Sequence, residues 1–327
     1  MVQIGTFAPQ GWRLELRGIE GAAAQWSRTK SVAQELERLG YDSLWLYDHF
    51  HTVPRTEIEP TFECWTTMAA LAEATKRIRL GQLVTCALYR NPAYLAKITS
   101  CVDVISGGRV EVGLGAGWKE DEFAAYGYDF GTIRSRLDRM ADTARILRAM
   151  WTEERATVQG KYFSVAGAVN EPKPIQSPHP PLWIGAQGEK VALRMVAEVA
   201  DGWNHNRGPA VFEPKLEILH RHCRDVGRDP RTMRISVERF CAIFDDDGER
   251  QAFIQRHWPG AKPDRINAYL DEGCVGTTEK VTKELQFFVD RGAELIILWF
   301  QDLADVGSGK SQAERFIERV APALRTR

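Results

Sequence analysis

Short apolar or β-branched runs alternate along the chain with longer stretches in which hydrophobic positions return every three to four residues. The first pattern marks buried strands and the second amphipathic helices. Read this way, residues 2–7 form a strand and 22–39 a helix closed by Gly40. Strands follow at 42–47, 78–84 and 109–114, with helices at 63–75 and from Asn91-Pro92 onward. Asn caps a helix well, and Pro at the first helical position loses no needed donor. The pattern continues with a helix at 134–151, strand 182–184, helix 188–199, strand 201–204, helix 212–226 and strand 234–244. A helix at 278–291, strand 294–300 and helix 311–324 close it. About eight β–α units, each long enough for a right-handed crossover, predict an α/β fold of the (β/α)8 TIM-barrel type, because ring closure removes exposed sheet edges. Two stretches break the rhythm. Residues 155–180 are rich in Gly and Pro and predict an insertion with a hairpin near 156–164; residues 245–276 predict a second insertion with helical pieces. With no repeat or linker, residues 1–327 are expected to be a single domain.

Composition narrows the function classes. The 44% hydrophobic and 27% charged content fits an ordered globular chain rather than a disordered or fibrous one. The 43 basic residues nearly balance 44 acidic ones, so neither nucleic acid nor an anionic membrane is an expected partner. Apolar runs such as Leu295–Phe300 suit strands and are far too short to span a bilayer. The opening Met1-Val2-Gln3-Ile4-Gly5 lacks the order of a secretion signal, and six scattered cysteines show no Cys-x-x-Cys pair. A cytoplasmic protein with reduced thiols and a small-molecule substrate is the expectation.

In such a barrel, reactive groups sit where strands end at their C-termini. Asp48-His49-Phe50-His51 directly follows the second strand. Imidazole ordinarily titrates near neutral pH, so His49 there predicts proton transfer, with Asp48 fixing its ring. The rival is a metal-dependent TIM-barrel hydrolase that uses His49 and His51 as paired ligands; later strand ends supply few further ligands, so no metal is expected. Gly113-x-Gly115-x-Gly117-Trp118 lets backbone approach a large flat ring or, alternatively, makes a tight barrel turn. Gly185-Ala186-Gln187-Gly188 would expose amides to a phosphate at a helix start. Glu63 is a candidate substrate-side carboxylate whose alternative is a helix N-terminal charge. Trp12 and Trp118 are the tryptophans placed to touch a ligand. Cys86 reads as a buried thiol.

Taken in order, residues 44–50 (LWLYDHF), 80–92 (LGQLVTCALYRNP) and 105–118 (ISGGRVEVGLGAGW) resemble the luciferase-like monooxygenase superfamily. Residues 181–188 (PLWIGAQG), 200–203 (ADGW) and 275–277 (VGT) continue the likeness, and 7–13 (FAPQGWR) with 47–54 (YDHFHTVP) are similar to a branch of coenzyme F420-dependent oxidoreductases. The resemblance implies a barrel holding a deazaflavin, or alternatively FMN, at the strand C-termini, in an enzyme moving hydride between F420 and a small organic substrate. The FMN alternative implies a flavin-dependent monooxygenase. By the same resemblance His49 is the proton donor or acceptor beside the ring. A non-prolyl cis peptide falls at Leu83–Val84, or one bond later at Val84–Thr85, and its bulge supports the ring. Ala116 and Gly117 match ring contacts, Gly185 and Ala186 the phosphate turn with Gly188, and a homodimer is implied. Sugar-phosphate dehydrogenases of the branch carry a catalytic glutamate where this chain has Trp118, which shifts the expectation toward reduction of an activated double bond or imine.

Overall fold

The computed structural model describes residues 1–326. Eight parallel strands close into a ring. They are β1 (Gln3–Phe7), β2 (Ser43–Leu46), β3 (Arg79–Gln82), β4 (Val110–Gly115), β5 (Leu182–Gly185), β6 (Gly202–His205), β7 (Arg234–Ile243) and β8 (Leu295–Trp299). Each pairs with its chain neighbour, and β8 returns to β1 through the register Gln3↔Leu295 to Thr6↔Leu298. Thr85–Cys86 and Cys274–Gly276 extend the sheet beside β4 and β7. Helices α1 (Ala22–Leu39), α2 (Cys64–Ala74), α3 (Pro92–Ser106), α4 (Ile133–Thr152), α5 (Ala192–Val199), α6 (Pro209–Asp225), α7 (Thr278–Val289) and α8 (Gln312–Arg319) form the outer layer. The expected (β/α)8 barrel is therefore present. Among the described residues no helix is long and apolar enough to cross a membrane.

Local chemistry explains the well-read elements. Asn91 caps α3 by accepting from the amides of Ala93 and Tyr94, and Pro92 takes the first helical position. Elsewhere tertiary context shifts the boundaries. The third run does not continue to Val84: β3 stops at Gln82, and pairing with β4 resumes at Thr85. The Leu83–Val84 peptide between them is cis, at the bond the resemblance indicated. The last helix ends at Arg319, and Ala321–Arg325 forms a separate short helix, since Pro322 cannot donate to the preceding turn. The first insertion holds an antiparallel pair, Ala156–Val158 with Val165–Ala168, and the second holds helices Asp247–His257 and Pro263–Asp271.

The barrel interior is filled from the bottom. Trp183 donates to Glu111 at 2.6 Å, Glu111 pairs with Arg79, and the Arg234 guanidinium lies 4.6 Å from the Trp183 ring centroid. Above them the Trp45 indole spans the cylinder. A Cβ at Gly81 would sit 2.4 Å from that ring, and one at Gly202 would sit 2.2 Å from Trp183, so both positions require glycine for space. Large aromatic rings thus pack tightly inside the cylinder against these glycines.

One buried carboxyl stands outside this scheme. Asp302, after β8, accepts the Gln312 amide at the start of α8 at 2.9 Å, while its Oδ1 has no partner. Burial pushes this carboxyl up to about 7, against the opposing pull of the Gln312 amide. A raised carboxyl favours the protonated native form. Its contribution to stability is therefore greatest below the unfolded value near 4 and declines as pH rises toward 7, by roughly 1.4 kcal/mol for each pH unit between those two values. Asp302→Asn keeps an acceptor for Gln312 and removes the ionisation. Thermal melts should show the variant more stable than wild type at pH 7–8, with the gain vanishing near pH 4.

Candidate active site

His49 lies at the C-terminal end of β2, and its side chain is only 12% exposed. Its Nδ1 is 2.7 Å from Oε2 of Glu122, a carboxylate with no solvent exposure. The same carboxylate accepts the Tyr89 hydroxyl at 2.8 Å, the Phe50 amide at 2.6 Å and the His51 amide at 3.3 Å. Burial alone would raise this carboxyl; the hydrogen bond and charge of His49, with the Phe50 amide and Tyr89, outweigh it and hold Glu122 below the usual carboxylate range. An ionised Glu122 takes the proton on Nδ1, which leaves Nε2 as the ring atom free to exchange a proton. Trp12 stacks on the imidazole at 4.4 Å between centroids and 1° between planes, and Trp118 meets it edge-on at 5.7 Å. Trp118 itself is 65% exposed.

Glu122 is the functional residue that sequence reasoning missed. It sits in the short helix Glu120–Ala125 after β4, in an acidic run that looks like a solvated first turn. What turns it inward is its neighbour Phe123, fully buried against Tyr89 and Phe130. Gly117, at φ +74°, starts the turn; a Cβ there would lie 2.7 Å from the Phe123 ring. The one local cue was a large aromatic directly after an acidic residue, close to a Gly-Trp turn. The carboxylate that meets the imidazole thus comes four residues after Trp118.

Asp48 does not orient His49, contrary to expectation. It is buried and held by Arg90 in a two-point fork of 2.7 and 3.0 Å, by the Cys86 amide at 2.8 Å and by the Cys64 thiol at 3.1 Å. The pair locks the end of β2 to the Thr85–Cys86 segment. The physical reason is charge: Arg90 lies largely buried behind the strand, and its fork claims the nearest carboxylate. Glu63 takes the alternative role of a charge at a helix N-terminus. It caps α2 by accepting the Thr66 amide at 2.7 Å and pairs with Arg90 at 2.5 Å. Asp48, Glu63 and Cys64 bring ligand-type atoms within 4.8 Å of one another, but the Arg90 guanidinium already supplies the cation there. His51 turns away from His49, with its Nδ1 3.1 Å from the Thr56 hydroxyl. Burial and the charge of Asp48 raise the Cys86 thiol, so it stays protonated.

The glycine run after β4 proves to be a packing device. Cβ atoms at Gly113 and Gly115 would strike the Gln82 carbonyl at 2.0 Å and Val84 at 2.3 Å, so these glycines admit the bulged chain beside them rather than a ligand. What remains open is the surface above. Val84, Ala116, Gly117 and Gly185 keep partial exposure and Gly188 is exposed, whereas Leu83, Thr85 and Ala186 are buried and present no free side chain. A Cβ at Gly185 would meet only Val84 within 4 Å. Helix α5 begins at Ala192, four residues later than expected, with no side-chain cap. Among the described residues, the amides of 188–192 donate to no acceptor in the chain. Beside them Gln187 Oε1 and His205 Nε2 are buried without partners; burial and Arg239 push His205 down to about 4, so it is neutral. A small-residue shelf and a string of free amides suit a flat ring with an anionic tail.

Comparison with known proteins agrees with this geometry. Residues 2–318 match the family described as luciferase-like monooxygenase. The F420-dependent hydroxymycolic acid dehydrogenase of Mycobacterium tuberculosis is 31% identical over 238 residues, covering 72% of this chain and 64% of that protein. The F420-dependent glucose-6-phosphate dehydrogenase of Amycolatopsis mediterranei is 29% identical over 257 residues, covering 74% of this chain and 73% of its own. Among solved structures, an F420-dependent secondary alcohol dehydrogenase in complex with an F420–acetone adduct superposes with a TM-score of 0.79 at 24% identity, over 99% of both chains. With the matching barrel and a match along nearly its whole length, the chain belongs to the luciferase-like monooxygenase family.

Proposed function

We propose that this protein is an oxidoreductase that works with coenzyme F420 on a small organic substrate, with His49 as the proton donor or acceptor. The observation that supports it most directly is the Glu122 carboxylate on His49 Nδ1, which leaves Nε2 free at the mouth of the barrel. The relatives named as F420-dependent favour the deazaflavin over FMN. The bound deazaflavin supplies the hydride chemistry, and the protein supplies position and proton control. Val84, Ala116, Gly117 and Gly185 offer the shelf for the ring, and the free amides of 188–192 with Gly188 suit the anionic tail. Trp12 restrains the imidazole plane, and burial keeps bulk water off the Nδ1–Glu122 contact.

Three outcomes are expected. Titration of purified protein, followed by cofactor absorbance and fluorescence, should show F420 binding well above FMN; tight FMN with no F420 binding rejects this reading. With any acceptor that oxidises reduced F420, His49→Gln should lower kcat by roughly 10²–10⁴-fold with little change in cofactor affinity. Glu122→Gln should lower kcat by about 10²-fold and alter the pH–rate profile, because the amide cannot accept from His49, Tyr89 and Phe50 together. Nitrogen NMR should then show the His49 proton moving toward Nε2.

A further inference from the structure

Three buried nitrogen donors gathered around Arg13 have no acceptor among the described residues: Trp12 Nε1, Arg13 Nε and Trp299 Nε1. They form one group, since the Arg13 guanidinium lies 4.6 Å from the Trp12 ring centroid and 5.0 Å from that of Trp299. Among the described residues, the Arg13 side chain makes neither a hydrogen bond nor an ion pair. Trp12 is the ring that stacks on His49, so the group begins one ring thickness from the proposed proton relay. Orphaned buried donors are costly, and a native site that keeps three together points to an acceptor that arrives from outside.

The loop presenting Arg13 is built rather than slack. Glu15 accepts the amides of Gln10 at 2.8 Å and Arg13 at 2.7 Å. The Gln10 side chain bridges the carbonyls of Tyr47 and Phe62 and accepts the Tyr47 amide. The Val53 amide ties down the Trp12 carbonyl at 2.9 Å. Leu14, the next residue, is held at φ +66°, the one non-glycine at positive φ among the described residues. A branched side chain is strained there, and such strain persists where surrounding contacts enforce a working geometry.

Charge narrows the ligand. Glu238, on β7, accepts the Tyr47 hydroxyl at 3.2 Å but stays outside ion-pair distance of Arg13. Burial pushes its carboxyl up, against the opposing pull of the Arg13 charge. Of the other cations, Lys119 is matched by Asp121 and Arg239 by Glu284, which leaves Arg13, held against two indole rings, without an ion-pair partner of its own. One guanidinium fork and two neutral N–H groups match a single planar anion. A phosphate dianion would bring a second charge toward Glu238 without a partner.

We propose that Arg13, with the indole N–H groups of Trp12 and Trp299, anchors the substrate by a carboxylate, and that the substrate is an organic monocarboxylate whose reacting atom is thereby brought to His49. The site of reaction rests on the functional reading above; the carboxylate site does not need it. Calorimetric titration of the protein with 3-phenylpropanoate, acetate and their amides, with and without F420, tests both separately. The acids should bind at least tenfold more tightly than the amides. Arg13→Gln should abolish that preference, and Arg13→Lys, which keeps charge but loses the fork, should retain part of it. Equal binding of acid and amide, binding of neither, or a preference that survives in Arg13→Gln overturns the proposal. So does loss of F420 affinity in Arg13→Gln without any acid preference in wild type, which assigns the guanidinium to the cofactor. Failure of F420 to bind wild type sinks the functional reading alone, because the acid–amide comparison is still decided on the cofactor-free protein.

Discussion

The active end of this barrel depends on one buried carboxylate. Glu122 accepts from an imidazole, a phenol and two backbone amides, and so gathers the end of β2, the segment after β3 and the turn after β4 at a single point. A carboxylate without solvent is tolerable only when its lone pairs are filled, and here they are filled by groups that must themselves stay in place. The arrangement sets the tautomer of His49 and the orientation of the strand end that carries it. Position and proton state follow from the same contacts.

Behind this constellation a second ion pair has a different role. Asp48 and Arg90 hold the Cys86 amide and the start of α2, so the bulged chain around Val84 is supported from the back. Adjacent residues at the end of one strand thus serve opposite sides: His49 faces the mouth and Asp48 the wall. Trp45 and Trp183 fill the cylinder below, so the barrel interior stays open at the strand C-termini. Arg13 overlooks that opening from the first loop.

The β2 end, the bulge and the glycine turn after β4 are where the geometry is most demanding. Gly113 and Gly115 answer to Gln82 and Val84, and Gly117 makes room for Phe123 while keeping its open side free. A family motif can therefore mark scaffold that shapes a site without touching its ligand. Trp12 and Trp118 instead lie directly against the His49 ring.

What the sequence alone determined was the eightfold alternation, most element positions and the location of His49. These depend on periodicity, caps and turns, which are interactions among residues near in the chain. The Asn91-Pro92 helix start belongs to that legible part. The halt of β3 at Gln82 does not, because the apolar run continues through Leu83 and Val84. The start of α5 is hidden because no cap marks it, and the break at Val320 because the helical periodicity runs through it. Only the tertiary structure decided which carboxylate serves the imidazole. Asp48 is adjacent in sequence, yet successive residues on an extended chain point to opposite faces. Glu122 is 73 residues away and reaches Nδ1 because Phe123 packs beneath the turn. Spacing along the chain records neither which side a strand shows nor what a distant loop folds against.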